Sequence, residues 1–195
     1  MSKQTPYMKS RYPRIKNDDY QTIDTRCIDG LIAHIDLTGK IIDCCANQGS
    51  GIVKTLVDLG YDAVGVADAF NVFEAHWVVD NPPYIRSKVD RIIYYQIGRI
   101  RRGELFGVAM LLPNNFDYAM TREPMFNGNE FYYGQIKLRF RPWWTKSRAK
   151  TPFHNFLWHV WKANAILPPR VMYYTAPYDL RYVADKPKKK VGKKK

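Results

Sequence analysis

Four consecutive residues, Asn81-Pro82-Pro83-Tyr84, carry the most specific chemical signal in the chain. Neither proline donates a backbone N–H, so the pair ends the apolar run before it and holds the next backbone atoms in place. The side-chain oxygen of Asn81 and the backbone carbonyl of Pro82 become two fixed acceptors, and Tyr84 adds an aromatic face. Two such acceptors suit a planar nitrogen bearing two hydrogens, which they can draw toward tetrahedral geometry without a strong base. A bare Pro-Pro kink is the simpler reading of the same residues. A PPxY ligand for WW domains is excluded, because Tyr84 directly follows Pro83.

A second group is the glycine-bearing stretch Asn47-Gln48-Gly49-Ser50-Gly51, placed between an apolar run and a helical stripe. Glycines at a helix start let backbone N–H groups approach an anionic or carboxylate-bearing ligand closely. The stretch lacks both the GxxxxGK[ST] phosphate loop and the GxGxxG dinucleotide fingerprint, so alone it is equally a structural turn. Asp68 is either a turn former or a carboxylate able to hold ribose hydroxyls. Cys27, Cys44 and Cys45 show no CxxC spacing, and His34, His76, His154 and His159 are scattered, so spacing points to reduced thiols and to no metal site.

The elements that must position these groups alternate between strands and helices. A helical stretch at residues 25–35 leads through Gly39 into KIIDCCA, residues 40–46, short enough for a buried strand. After the glycine stretch, Ile52, Val53, Leu56, Val57 and Leu59 form a helical stripe that Gly60 terminates, and residues 62–68 read as the next strand. That β-turn-α-β unit implies a parallel sheet with a right-handed crossover. AHWVV, residues 75–79, is a strand ending at the Asn-Pro-Pro-Tyr box. Ser87 with Asp90 reads as a capping box before the helical spacing of Val89, Ile92, Ile93, Ile97 and Ile100. LFGVAMLLP (105–113), QIKLRFRPWW (135–144), NFLWHVW (155–161) and RVMYY (170–174) read as further strands. The pattern is an open, mostly parallel α/β sheet, which binds ligands at the carboxyl ends of strands where the strand order reverses.

With 195 residues and 46% hydrophobic content, the chain suits one domain with a sizeable core. Residues 1–183, with a basic segment at 1–19, form that domain, and 184–195 form a lysine-rich tail expected to be a disordered arm. Its seven lysines and one aspartate contribute +6 of the net +13, leaving +7 on the body. A body of that charge attracts polyanions. No run of 18 apolar residues occurs, and the basic start has no apolar stretch behind it, so the expected setting is cytoplasmic, without membrane association. Oligomeric state is left open.

Taken together, DCCANQGSG followed by a helix, an acidic residue ending the next strand, and then NPPY resembles the class I S-adenosylmethionine-dependent methyltransferases. The likeness is to their amino-group branch, and to small phage-type DNA N6-adenine methyltransferases in particular, over residues 20–174. The resemblance implies a Rossmann-like, mostly parallel seven-stranded sheet with helices on both faces, and S-adenosylmethionine as cofactor. By the same resemblance Asn81, Pro82, Pro83 and Tyr84 are catalytic; Asp43, Ala46, Asn47, Gly49 and Gly51 form the cofactor loop; Asp68 binds ribose; and Tyr20 and Thr22 pack over the methionine part. Cys44 stands where that family usually has proline, Asn47 where it often has glycine, and Asp68 one residue later than the plain strand end.

Adenine fits the box chemically, because its exocyclic amine is a poor nucleophile whose lone pair is delocalised into the ring. Tyr84 offers a face for an extruded base, and a sulfonium methyl needs no metal. Residues 137–150, KLRFRPWWTKSRAK, hold six basic residues and no acid, so Arg139, Arg141, Lys146 and Arg148 are expected on phosphates and Trp143 and Trp144 on bases. DNA is the expected partner. Methylation of RNA or of a protein glutamine, and a catalytically inactive nucleic-acid-binding relative, are the alternatives.

Overall fold

The computed structural model describes residue 22 and residues 24–46, 49–71, 73–144 and 154–177. In chain order the elements are α1 (Arg26–Ile32), β1 (Ile41–Asp43), α2 (Gly51–Asp58), β2 (Ala63–Gly65), β3 (Trp77–Asp80), α3 (Arg86–Arg101), β4 (Gly107–Pro113), α4 (Glu123–Phe126), β5 (Tyr132–Leu138), β6 (Phe156–Lys162) and β7 (Arg170–Tyr174). Two 3-10 turns, Phe116–Tyr118 and Met120–Arg122, precede α4. The N-terminal basic segment and the lysine tail lie outside the described residues, as do Tyr20, Asn47, Lys146 and Arg148. Among the described residues no helix is long and apolar enough to cross a membrane.

The strands form one seven-stranded sheet in the order β2-β1-β3-β4-β6-β5-β7, with β6 antiparallel to both neighbours and the other pairings parallel. Strand residues alternate between two faces, so each face collects its own core. On one face Ile41, Trp77, Val79, Leu111, Ile136 and Trp158 pack under Ile28 and Leu31 of α1 and Ile52 and Leu56 of α2. On the other, Ile42, Val78, Val108, Met110 and Trp161 pack under the apolar stripe of α3 and under Met125 and Phe126 of α4. β6 ties both layers down, since the Trp158 indole donates to the Cys27 carbonyl at 2.7 Å and the Trp161 indole to the Met125 carbonyl at 2.6 Å. The open, mostly parallel α/β sheet expected from the sequence is the one observed.

Two local expectations need correction. The α3 N-terminus is not a capping box: Ile85 occupies the cap position with no side-chain cap bond, and Ser87 lies inside the helix. Asp90 instead accepts from Arg122 at 2.8 Å, tying α3 to the loop before α4. Strand β5 begins at Tyr132, before the expected start, and ends at Leu138, so Arg139, Arg141, Trp143 and Trp144 belong to the loop beyond it.

The chain leaves β1 for β2 on one side and returns to β3 on the other, so the strand order reverses between β1 and β3. Among the described residues of 66–76, which make that return, none is helical. The carboxyl ends of β1 and β3, Asp43 and Asp80, therefore flank the crevice where an open α/β sheet takes its ligand.

Candidate active site

The Asn81-Pro82-Pro83-Tyr84 box leaves β3 directly after Asp80 and reaches α3 at Arg86. Pro82 is buried, while Asn81, Pro83 and Tyr84 are half-buried. The Tyr84 hydroxyl donates to the Asn81 side-chain oxygen and lies 3.3 Å from the Leu111 carbonyl of β4. This bond orients the carboxamide, and the oxygen's second lone pair can accept another hydrogen. The Tyr84 ring packs against Phe156 with centroids 5.5 Å apart and touches both cores, so part of the face expected to receive a base is covered by Phe156.

Opposite the box, Asp43 ends β1. Its Oδ2 accepts the Ser50 hydroxyl at 2.5 Å and its Oδ1 accepts the Cys45 N–H at 3.3 Å. Ser50 also accepts the Val53 N–H at 3.2 Å as N-cap of α2, so one hydroxyl joins the strand end to the helix start. Ser50 was missed by the sequence reasoning, although a serine two residues before a helical stripe is itself a cap signal. Asp80, wholly buried, accepts the Cys44 thiol at 3.1 Å. Burial raises the Asp43 carboxyl well above the usual range, and the Asp80 charge adds to it. Burial also raises Asp80, followed by the effect of Cys45.

Between α2 and the end of β2 lies a groove of about 630 Å³ lined in part by Ala46, Gly49, Ser50, Val53, Gly65 and Ala67. Small residues keep it open. Gly49 has φ +89°, a conformation that side-chain-bearing residues rarely adopt, while a Cβ at Gly65 would come 2.6 Å from that of Ala46. Gly51 opens α2. Asp68 is exposed one residue beyond Ala67, and its Oδ1 accepts the Phe70 N–H at 2.9 Å, forming the local turn that short acidic side chains favour. Three α3 side chains hold this loop in place: Tyr95 donates to the Phe70 carbonyl at 2.8 Å, Gln96 to that of Ala69 at 2.7 Å and Arg99 to that of Phe73 at 2.6 Å. None of these straps was anticipated, because a buried Gln or Arg within an apolar helical stripe has no sequence signature of its partner. Thr22 is buried.

On the other side of the box a second cleft, of about 530 Å³, opens at the carboxyl ends of β4 and β5 and the start of β6. Asn114, Lys137, Arg139, Arg141 and Asn155 line it together with Phe156, the residue that also packs on Tyr84. Arg139 and Arg141 are exposed, and Arg141 donates to Asn155 at 3.2 Å. Trp143 and Trp144 depart from expectation: they are only 7% and 8% exposed. The Trp143 backbone N–H donates to the Asp24 carboxylate at 3.1 Å, and Trp144 packs edge-on to Phe156 at 4.7 Å. Trp144 thus backs Phe156 from within, and neither buried indole presents an open stacking face. Their apolar area outweighs the charged neighbours that made the stretch look like surface.

No family model matches the chain, and no curated protein matches it. Solved structures do resemble it. A protein from Pyrococcus horikoshii, described provisionally as an RNA methyltransferase, superposes with a TM-score of 0.50 at 10% identity, covering 80% of this chain and 91% of its own. A protein from Listeria monocytogenes, described provisionally as a class I S-adenosylmethionine-dependent methyltransferase, gives 0.49 at 14% identity over 85% and 68% of the two chains. At such identities the likeness is one of fold. The architecture is a seven-stranded, mostly parallel, Rossmann-like sheet, as the sequence led us to expect, and its fold is shared with the Pyrococcus horikoshii protein.

Proposed function

We propose that the protein is an S-adenosylmethionine-dependent methyltransferase acting on the exocyclic N6 amine of adenine in DNA. The observation that carries this reading is the place of the Asn81-Pro82-Pro83-Tyr84 box: at the strand reversal, with the small-residue groove on one side and the basic cleft on the other. The groove fits the cofactor, since Ala46, Gly49, Gly65 and Ala67 leave room for a bulky ligand, and Asp68 supplies an exposed carboxylate for ribose hydroxyls. Asp43 and Ser50 hold the loop and helix start that frame it. When bound, the cofactor supplies an electrophilic methyl group.

The remaining work falls to this chain's own atoms. Asn81 Oδ1 and the Pro82 carbonyl accept the two amine hydrogens and concentrate the nitrogen lone pair along the direction of attack. Tyr84 steadies the Asn81 carboxamide through its hydroxyl and offers the uncovered part of its ring to the base. The basic cleft, with Arg139 and Arg141, receives the phosphates flanking an extruded nucleotide. No residue needs to act as a strong base, because the nitrogen sheds its surplus proton to water once it has been alkylated.

The same acceptor pair suits an adenine in RNA or a glutamine amide, so the test offers all three. The protein is incubated with labelled S-adenosylmethionine and competing DNA, RNA and glutamine peptide, followed by digestion and product analysis. Label recovered as N6-methyladenine from DNA supports the proposal. Label in RNA nucleosides or methylglutamine reassigns the substrate, and none in any product points to an inactive binding relative.

A further inference from the structure

Sequence spacing gave no metal site, but the fold brings a third ligand to the adjacent cysteines from another strand. The thiol sulfurs of Cys44 and Cys45 and a carboxylate oxygen of Asp80 all lie within 4.8 Å of one another. Around a tetrahedral zinc ion with Zn–S bonds of about 2.3 Å, two sulfurs sit about 3.8 Å apart, so closing the cluster onto a cation requires contraction of about 1 Å or less. Asp80 Oδ2 takes the Cys44 thiol at 3.1 Å, while its Oδ1 is buried and receives no N–H or hydroxyl donor among the described residues, the Asp43 carboxyl being its neighbour. A fully buried carboxylate oxygen facing a second acid is costly unless a proton or a cation lies between the two. Among the described residues no lysine or arginine forms an ion pair with Asp80 or with the neighbouring Asp43. Cys45 is half-buried, which leaves a route from solvent.

We infer that Cys44, Cys45 and Asp80 form a binding site for a thiophilic divalent cation of the zinc class. Two thiolates and a carboxylate give a mixed sulfur and oxygen set that such ions accept, with a fourth position left for water. On binding, each thiol, and the Asp80 carboxyl where it carries a proton, gives that proton to solvent; each sulfur and Asp80 Oδ1 then form a bond to the metal. The cation would join the loop after β1 to the last residue of β3, immediately before Asn81, and so would staple the two walls of the crevice together. The inference uses no cofactor or substrate and stands apart from the proposed methyl transfer.

The test is a titration of the reduced full-length protein with Cd²⁺, read by the ultraviolet thiolate-to-cadmium charge-transfer band, followed by displacement with Zn²⁺. A site of this kind gives a band that saturates at one equivalent and is lost on adding Zn²⁺, and Zn²⁺ raises the thermal midpoint. Cys45→Ser should remove about half the band and weaken binding by about tenfold or more, and Asp80→Asn should weaken binding while keeping the band. Cys27→Ser should change nothing, since Cys27 is a buried residue of α1, in the core on the other face from Cys44. Cys44 is buried, so if Cys44→Ser does not fold, the half-exposed Cys45 variant, checked by circular dichroism, decides. Absence of a saturating band in the wild type, or an undiminished band and an unchanged Zn²⁺ stabilisation in Cys45→Ser, would overturn the inference.

Discussion

Gly49 shows how much of the proposed cofactor site depends on backbone conformation. Its φ of +89° lies in a region open to glycine, yet a Cβ there would meet nothing within 4 Å. Gly49→Val should therefore weaken S-adenosylmethionine binding through the loop's dihedral angles and not through a clash, because a β-branched residue is the least tolerant of positive φ. Calorimetry should show a loss of about tenfold, corresponding to about 1.4 kcal/mol, from strain of about 1–3 kcal/mol. Equal affinity for both proteins would mean that the loop takes no part in binding. Tyr84 and Ser50 carry a related lesson. A tyrosine hydroxyl bonded to Asn81 and a serine shared between Asp43 and α2 are contacts between neighbours in the chain, and the residue types alone allowed them without requiring them.

At the scale of elements, the loop that returns the chain from β2 to β3 is held to α3 by side chains. Arg99, 3% exposed, makes one of these ties, donating to the Phe73 carbonyl and to the Gln96 side-chain oxygen and pairing with Glu104 at 3.1 Å. Arg99→Leu should cost about 2–4 kcal/mol, since it leaves buried acceptors without a donor. It should also raise hydrogen exchange in residues 69–73 and weaken cofactor binding; unchanged exchange there would show that the loop stands without its strap. What could be read in advance divides along the same line. Strands β1, β3, β4, β6 and β7 and helices α2 and α3 were legible because each is a short apolar run or a helical stripe bounded by Gly, Pro or Asn. The start of β5 was not, because Phe131, Tyr132 and Tyr133 follow a polar loop with no break in composition. Nor could spacing show that Trp143 and Trp144 turn inward, or that Asp80 meets Cys44 from a different strand. Those outcomes depend on which elements become neighbours, and the order in the sheet decides that.

For the whole molecule, two properties reach beyond the site. His159 of β6 is completely buried among Phe116, Phe126, Tyr132 and Trp161, with Nδ1 2.9 Å from the Tyr132 hydroxyl. Burial pushes its pKa down to about 3. The unfolded chain, with an ordinary value near 6.5, binds this proton first, so the stability contributed by neutral His159 is complete above about pH 6.5 and is lost as pH falls toward 3, at up to about 1.4 kcal/mol per pH unit. His159→Gln, which can still bond Tyr132 but does not titrate, should flatten the denaturation midpoint between those pH values; an unchanged slope would place the acid sensitivity elsewhere. The second property is charge. Lys137, Arg139 and Arg141 set three basic side chains along the cleft at the carboxyl edge, on the same side as the box. Replacing Arg139 and Arg141 with Ala should reduce the slope of DNA affinity against salt by about two phosphate contacts, and should lower methylation even at low salt. A variant with wild-type salt dependence would show that the cleft does not touch the backbone.

The account turns on Asn81, and one comparison tests it most directly: wild type and Asn81→Ala, given the same DNA and S-adenosylmethionine, with N6-methyladenine measured by nucleoside analysis and cofactor affinity measured alongside. Removing an acceptor that acts on the reacting nitrogen should leave folding and cofactor affinity nearly unchanged and cut turnover by about 10²-fold or more. Equal turnover in the two proteins, or a methyl group recovered on any atom other than adenine N6, would contradict the account.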